Sequence, residues 1–204
     1  MNYKDSLLKN ITFLNNYRTY KKGFKISFEK QVNVVTGDNG SGKSSLISCI
    51  RNFFDAKWTY SHDSRADSII EIDSDPTIKI GYLCFSSDSH KTASEIDFDD
   101  FDTWKNCMDS SSGQSSIIQL KSFLSIHENF KLIILDEPER GLSSKNVRIV
   151  LSLLKEHIKE HPLQQIIIST NSEILMSISE DEKVFSASHM KTITVNDYIS
   201  FMEA

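Results

Sequence analysis

Several features that would take this chain out of the ordinary run of folded domains are scarce or missing. Only 3 prolines and 7 glycines occur among 204 residues, too few for a collagen-like or linker-like composition. Nowhere do roughly 18 apolar residues follow one another, the length a membrane-crossing helix needs. The opening Met1-Asn2-Tyr3-Lys4-Asp5 has no apolar core of a secretory leader. The expectation is a cytoplasmic chain without membrane insertion. Three cysteines, Cys49, Cys84 and Cys107, are odd in number and match neither a zinc site nor a disulfide framework. A basic excess is absent too: 23 Lys and Arg against 28 Asp and Glu give a formal charge of -5. That excludes a globally basic nucleic-acid binder and leaves a local basic patch open. There is no fixed-period repeat, and residues 45–110 carry no heptads.

What is present is enough for one sizeable core. A hydrophobic fraction of 39% and a charged fraction of 25% belong to soluble globular chains. The length suits a single domain over residues 1–204, read in four stretches: 1–36, 37–54, 55–127 and 128–204. Phe24, Ile26 and Phe28 alternate as in a half-buried strand, and Val32-Asn33-Val34-Val35-Thr36 is a β-branched run that stops at Gly37. Helical spacing follows over residues 44–54, with Leu46, Ile47, Ile50, Phe53 and Phe54 on one face. Strands are expected at 69–72 and 78–85, and a helix over 115–127. The apolar run Leu132-Ile133-Ile134-Leu135, a long helix over 143–161 stopped by Pro162, and Ile166-Ile167-Ile168 come next. A short helix near 174–178, a strand at Val184-Phe185 and a helix capped by Asn196 complete the reading. Buried strands alternating with helices mean an α/β fold with a mainly parallel central sheet flanked by helices, preceded by N-terminal antiparallel strands.

Two motifs carry chemistry. Gly37-Asp38-Asn39-Gly40-Ser41-Gly42-Lys43-Ser44 fits G-x-x-x-x-G-K-S/T and lies between a buried strand and a helix, where the mechanism requires it. Its glycines let successive N–H groups face one phosphate chain, and the helix N-terminus adds positive potential. Lys43 would reach the terminal phosphates, Ser44 would hold Mg²⁺, and Ser45 completes the loop. The second motif is Asp136-Glu137-Pro138-Glu139 after a buried strand. Ligands of open α/β sheets gather at such strand ends, so Asp136 is placed to complete the metal site. Glu137, immediately after, suits a general base that directs water at the γ-phosphate. Glu139 is read as part of a helix-capping cluster before Gly141. The expected ligands are a nucleoside triphosphate and Mg²⁺.

With these residues in place the sequence resembles ABC-type ATPases, and within them the SMC/RecF/OLD-like group, in the form of a head domain. The resemblance rests on Asn16-Tyr17-Arg18-Thr19-Tyr20, Phe24-x-Ile26-x-Phe28 and the loop from Gly37 to Ser45. It continues through Ser111-Ser112-Gly113-Gln114 as a signature, Asp136-Glu137 as Walker B, Gly141-Leu142-Ser143 as a D-loop and Ser169-Thr170-Asn171-Ser172 as the switch. The resemblance implies a P-loop NTPase fold and a dimer in which Ser111, Gly113 and Gln114 of one copy close on the ATP of another. It further implies an effector protein, leaves nucleic acid open as a partner, and points to DNA repair or anti-phage defence. Asn171 stands where the group has His, and an amide cannot carry charge near neutral pH; slow turnover is the expectation. The group's Gln after residues 78–85 is missing, with Ser86, Ser87 or Asp88 as candidates to replace it.

Other features are weighed against plainer roles. Arg18, Lys21, Lys22, Lys25 and Lys30 form a basic cluster, read first as a solvated hairpin edge. Arg51 and Arg65 are candidates to stabilise phosphate charge or to pair with acids, and His157 and His161 are read as surface residues at a helix end. Two alternatives remain: the ATPase subunit of a membrane transporter, with Tyr17 or Tyr20 as a base-stacking aromatic, and a nucleotide-binding regulatory module with little turnover. As it stands, the chain reads as a head without coiled-coil arms or an appended nuclease, so that a second copy must supply half of the ATP site.

Overall fold

The computed structural model describes residues 8–58, 69–75, 78–85, 112–179 and 181–202. Ser86, Ser87, Asp88, Arg65, Cys107 and Ser111 lie outside them. Five strands rich in β-branched or aliphatic residues form the parallel body of a sheet: β3 (Val32–Thr36), β5 (Ile80–Cys84), β6 (Leu132–Asp136), β7 (Gln165–Ser169) and β8 (Lys183–Ser186). A sixth, β9 (Lys191–Thr194), runs antiparallel to β8, and the order is β5-β6-β7-β3-β8-β9. A second, antiparallel sheet of order β2-β1-β4 joins β1 (Asn10–Phe13), β2 (Lys25–Ser27) and β4 (Ile70–Asp73).

Alternation along the central strands splits the core between two faces. Val35, Leu132, Ile134 and Ile167 point to the side covered by the N-terminal sheet and α1 (Lys43–Trp58). Val34, Ile133, Leu135, Ile166 and Ile168 point to the other. That side is covered by α2 (Ser112–Ile126), α3 (Ser144–Glu160), α4 (Glu173–Met176) and α5 (Val195–Met202). Ile133, Ile134, Leu135 and Ile166 to Ile168 are all fully buried, which is why these runs are apolar on both faces. Each such side chain contributes about 1.5–3 kcal/mol by leaving water.

A buried amide fastens the two sheets together. Gln165, at the start of β7, accepts from the Leu8 N–H and donates to the carbonyls of Leu8 (3.0 Å), Phe28 (2.5 Å) and Lys30 (3.1 Å). Leu8 precedes β1 and Phe28 and Lys30 follow β2, so Gln165 ties both strand ends of the N-terminal sheet to β7.

The structure departs from the sequence reading at several points. The helix expected from residue 115 begins at Ser112, so Gly113 and Gln114 lie in its first turn rather than in a loop before it. Strands β1 and β9 lie outside the strands the sequence reading expects; in β9 Ile193 is the one apolar residue. The terminal helix is capped by Thr194, whose Oγ1 accepts from the Asp197 N–H at 3.0 Å, rather than by Asn196. His157 is not a surface residue. It is buried, and its Nε2 meets Gln164 Oε1 at 2.5 Å. Gln164 Nε2 donates to the carbonyls of His127 and Phe130. That fixes Oε1 toward the imidazole, so Nε2 of His157 carries the proton. Burial holds His157 below its ordinary pKa, the opposite of what a helix C-terminus in water would do.

Candidate active site

The loop between β3 and α1 turns on glycines that cannot be replaced without strain. Gly42 has φ +108° and would drive a Cβ into Thr19 Oγ1 and the Tyr20 ring. Gly37 has φ +142°, and a Cβ there would lie 2.7 Å from Ser41 Oγ and 2.9 Å from Ser188 N. The close packing has two sources far apart in sequence. On one side Thr19 Oγ1 donates to Ser41 O and Tyr20 Oη to Gly42 O, both at 3.1 Å. On the other, Ser188 in the β8–β9 turn accepts from the Asp38 N–H at 2.8 Å and donates to Asp38 Oδ2 at 3.0 Å.

Lys43, the first residue of α1, is only 4% exposed. Its Nζ donates to Gly37 O at 2.6 Å and Asp38 O at 3.2 Å. Burial lowers its pKa, and the nearby carboxylates of Glu137, Asp136, Glu139 and Asp38 oppose that shift. A cavity of about 300 Å³ opens over the loop, lined by Asn39, Gly40, Gly42, Lys43, Ser44 and Ser45, with Arg18, Thr19 and Glu137 at its sides.

The parallel register brings Cys84, Asp136 and Ser169 abreast at the ends of β5, β6 and β7. Asp136 is 5% exposed. Cys84 Sγ donates to Asp136 Oδ2 at 3.8 Å, while Asp136 Oδ1 has no hydrogen-bond partner among the described residues. Burial pushes the Asp136 carboxyl up; the neighbouring Ser169 hydroxyl, the Cys84 thiol and Lys43 pull it down, and the charge on Glu137 pushes it up. A buried carboxylate with an oxygen that no described residue engages is a ligand of the kind a hard divalent cation takes. The residues present therefore fit Mg²⁺, with Ser44 in the first turn of α1 lining the cavity.

Glu137 sits at φ +53°, a left-handed conformation that a non-glycine residue seldom adopts. Its N–H donates to Ser169 O at 2.8 Å, which holds the turn against β7. Its Oε2 accepts from Arg140 Nη1 at 3.0 Å. Glu139 corrects the sequence reading: the cap of α3 is Ser143, and Glu139 Oε1 instead accepts from the Asn171 N–H at 2.8 Å. Burial raises the Glu139 pKa, opposed by Thr170 and by that N–H. Asn171 thus sits two residues beyond the end of β7, tied through its backbone to the turn that carries Glu137, with an exposed side chain.

The structure gathers Gly37 to Ser45, Asp136, Glu137 and Asn171 at one end of the sheet. Gly113 and Gln114 do not line the cavity; Gly113 instead packs against the first turn of α3, a Cβ on it lying 2.8 Å from Asn146 Nδ2. Of the two aromatic candidates, Tyr20 is buried, stacked on Phe13 with centroids 4.5 Å apart, and unable to meet a base. Arg51 lies over the Tyr82 ring, its guanidinium carbon 4.7 Å from the centroid. Lys21, Lys22 and Lys25 are exposed. Sequence reasoning missed Thr19 and Tyr20 as buttresses, although they lie in the quoted N-terminal segment. It also missed Ser188, for which no local signal exists.

A parallel sheet that presents a glycine-built phosphate loop beside an Asp-Glu pair is the arrangement of a P-loop nucleotide-binding fold. Residues 8–116, more than half of the chain, match the model of the AAA ATPase domain family, and the chain belongs to that family. It is 31% identical over 99 residues to structural maintenance of chromosomes protein 4 of Schizosaccharomyces pombe, a stretch that is 47% of this chain and 7% of that protein's length.

The fold is shared with solved structures. One is cbiO1 of Clostridium perfringens, part of the ABC transporter complex cbiONQ (TM-score 0.60, 20% identity, 96% of this chain and 92% of that one). Another is the SMC head domain from Thermotoga maritima (TM-score 0.59, 15% identity, 88% and 94%). A third is the ATP-binding cassette MJ0796, dimeric in a post-hydrolysis state with ADP and Pi (TM-score 0.51, 14% identity, 89% and 94%). Among the described residues no helix is long and apolar enough to cross a membrane.

Proposed function

We propose that this chain binds and slowly hydrolyses ATP, closes with a second copy around two nucleotides, and through that motion drives an effector protein in DNA repair or anti-phage defence. The observation that carries the reading is the convergence of the Gly37–Ser45 loop, Lys43 and Glu137 on one cavity, with the Asp136 oxygen that no described residue engages at the neighbouring strand end. In this reading the backbone N–H groups of residues 40–45 bind the β-phosphate. Lys43 exchanges its bonds to the loop carbonyls for β- and γ-phosphate oxygens, whose charge adds to the carboxylates that already oppose its burial. Ser44 and Asp136 hold Mg²⁺, which supplies neutralisation of the phosphate charge. Glu137 orients a water in line with the γ-phosphorus and accepts its proton. Asn171, fixed by Glu139, offers its amide toward the terminal phosphate, a weaker contact than an imidazole gives.

Ser111, Gly113 and Gln114 act on the ATP of the other copy, which accords with Gly113 and Gln114 lying away from their own cavity. The fold shared with an SMC head and with a dimeric cassette supports the closing step. Steady-state ATP hydrolysis tests the chemistry. Glu137→Gln is expected to lower kcat about 10²–10⁴-fold while ATP still binds, and Asn171→His to raise it; a Glu137→Gln variant as fast as the parent removes Glu137 from the role.

A further inference from the structure

We infer that Arg140 is a positioning residue that restrains the Glu137 carboxylate and thereby sets the basal hydrolysis rate; the inference rests on the reading of Glu137 as general base. The Glu137 backbone is fixed from both sides. Its N–H is held by Ser169 O and its carbonyl accepts from the Arg140 N–H at 3.0 Å. Only the direction of the side chain is left to vary, and there Arg140 Nη1 takes Oε2 at 3.0 Å. Glu137 lines the cavity, whereas Arg140 does not. The guanidinium therefore reaches the carboxylate from outside the place where nucleotide and water would sit.

A carboxylate oxygen engaged by a guanidinium is held in that direction and is not free to turn onto a water in the cavity, because charge-assisted hydrogen bonds are among the stronger ones a side chain makes. The pair is also open to solvent, with side-chain exposures of 47% for Arg140 and 23% for Glu137. Exposed ion pairs are weak and salt-sensitive. The restraint is accordingly small and releasable: any anionic group that takes over the Arg140 guanidinium frees Glu137.

Saturating-ATP turnover of the full chain, measured across ionic strength, tests this. Arg140→Gln is expected to raise kcat about two- to five-fold at low salt, the range an exposed pair can supply. Its KM for ATP should change less than two-fold, and its rate should not respond to salt. The parent should accelerate toward the variant as salt is added, and Arg140→Lys, which keeps a cation, should follow the parent. An Arg140→Gln rate equal to or below the parent overturns the inference. So does a parent kcat that does not rise with salt, a result that needs no variant to fold. Glu137→Gln, run alongside, separates the two readings. If it abolishes turnover while Arg140→Gln gains nothing, only the restraint falls. If it leaves turnover intact, the general-base reading falls and the restraint with it.

Discussion

Asp136 is a carboxylate whose surroundings suit a ligand better than they suit the resting protein. It is buried, one oxygen has no partner among the described residues, and burial raises its pKa. A carboxyl with a raised folded-state pKa costs stability wherever the unfolded chain would be ionised, that is, above the ordinary carboxylate range. Asp136→Asn is therefore expected to stabilise the nucleotide-free chain at pH 7 by about 1 kcal/mol, or roughly 2–4 °C in unfolding midpoint for a chain of this size. The same variant should lose magnesium-dependent turnover. Thermal unfolding with and without Mg-ATP checks both halves, and an unchanged or lower midpoint counts against the burial argument. Glu139 shows why a residue's type and spacing did not disclose its job. As a letter before Gly141 it read as a cap, but the N–H it accepts from belongs to Asn171, which β7 alone brings alongside.

Elements with a long, regular pattern were legible. The buried runs of β3, β6 and β7 and the stripe of α3 declare themselves because many residues obey one period. Strands β1 and β9 do not, since the first is read only from Ile11 and Phe13 and the second from Ile193 alone. The junction of α2 and α3 carries a testable consequence. His157 on α3 is held neutral in contact with Gln164, which in turn caps the chain leaving α2. With its folded-state pKa lowered, its contribution to stability is present above the ordinary histidine pKa. It is lost as pH falls, because the unfolded chain takes up the proton first. The drop in unfolding midpoint between pH 7.5 and 5.5 is expected to be smaller in His157→Gln than in the parent, and equal slopes would assign the acid sensitivity to other groups.

At the scale of the whole molecule, the cavity is assembled on one side only. Arg18 and Thr19, the loop after β3, the start of α1 and Glu137 after β6 line it, and Gly113 and Gln114 on α2 do not. If a second copy completes the site, Glu137→Gln, which binds ATP but does not consume it, should elute as a dimer with Mg-ATP and as a monomer without. A monomer at high concentration with Mg-ATP would overturn the closing step. An added duplex DNA arm, with elution unchanged, would remove nucleic acid from the proposal.

The sequence alone determined the phosphate loop, the Asp136-Glu137 pair and the alternation of buried strands with helices, because each is written in neighbouring residues whose spacing follows the backbone's own period. Tertiary structure alone decided what surrounds them. Ser188 reaches Asp38 across 150 positions, Gln165 bonds Leu8 across 157, Glu139 holds Asn171, and Tyr20 is spent on buttressing Gly42 rather than on a base. Such pairs leave no local trace, since the contact depends on strand order and register, which only the packed sheet supplies.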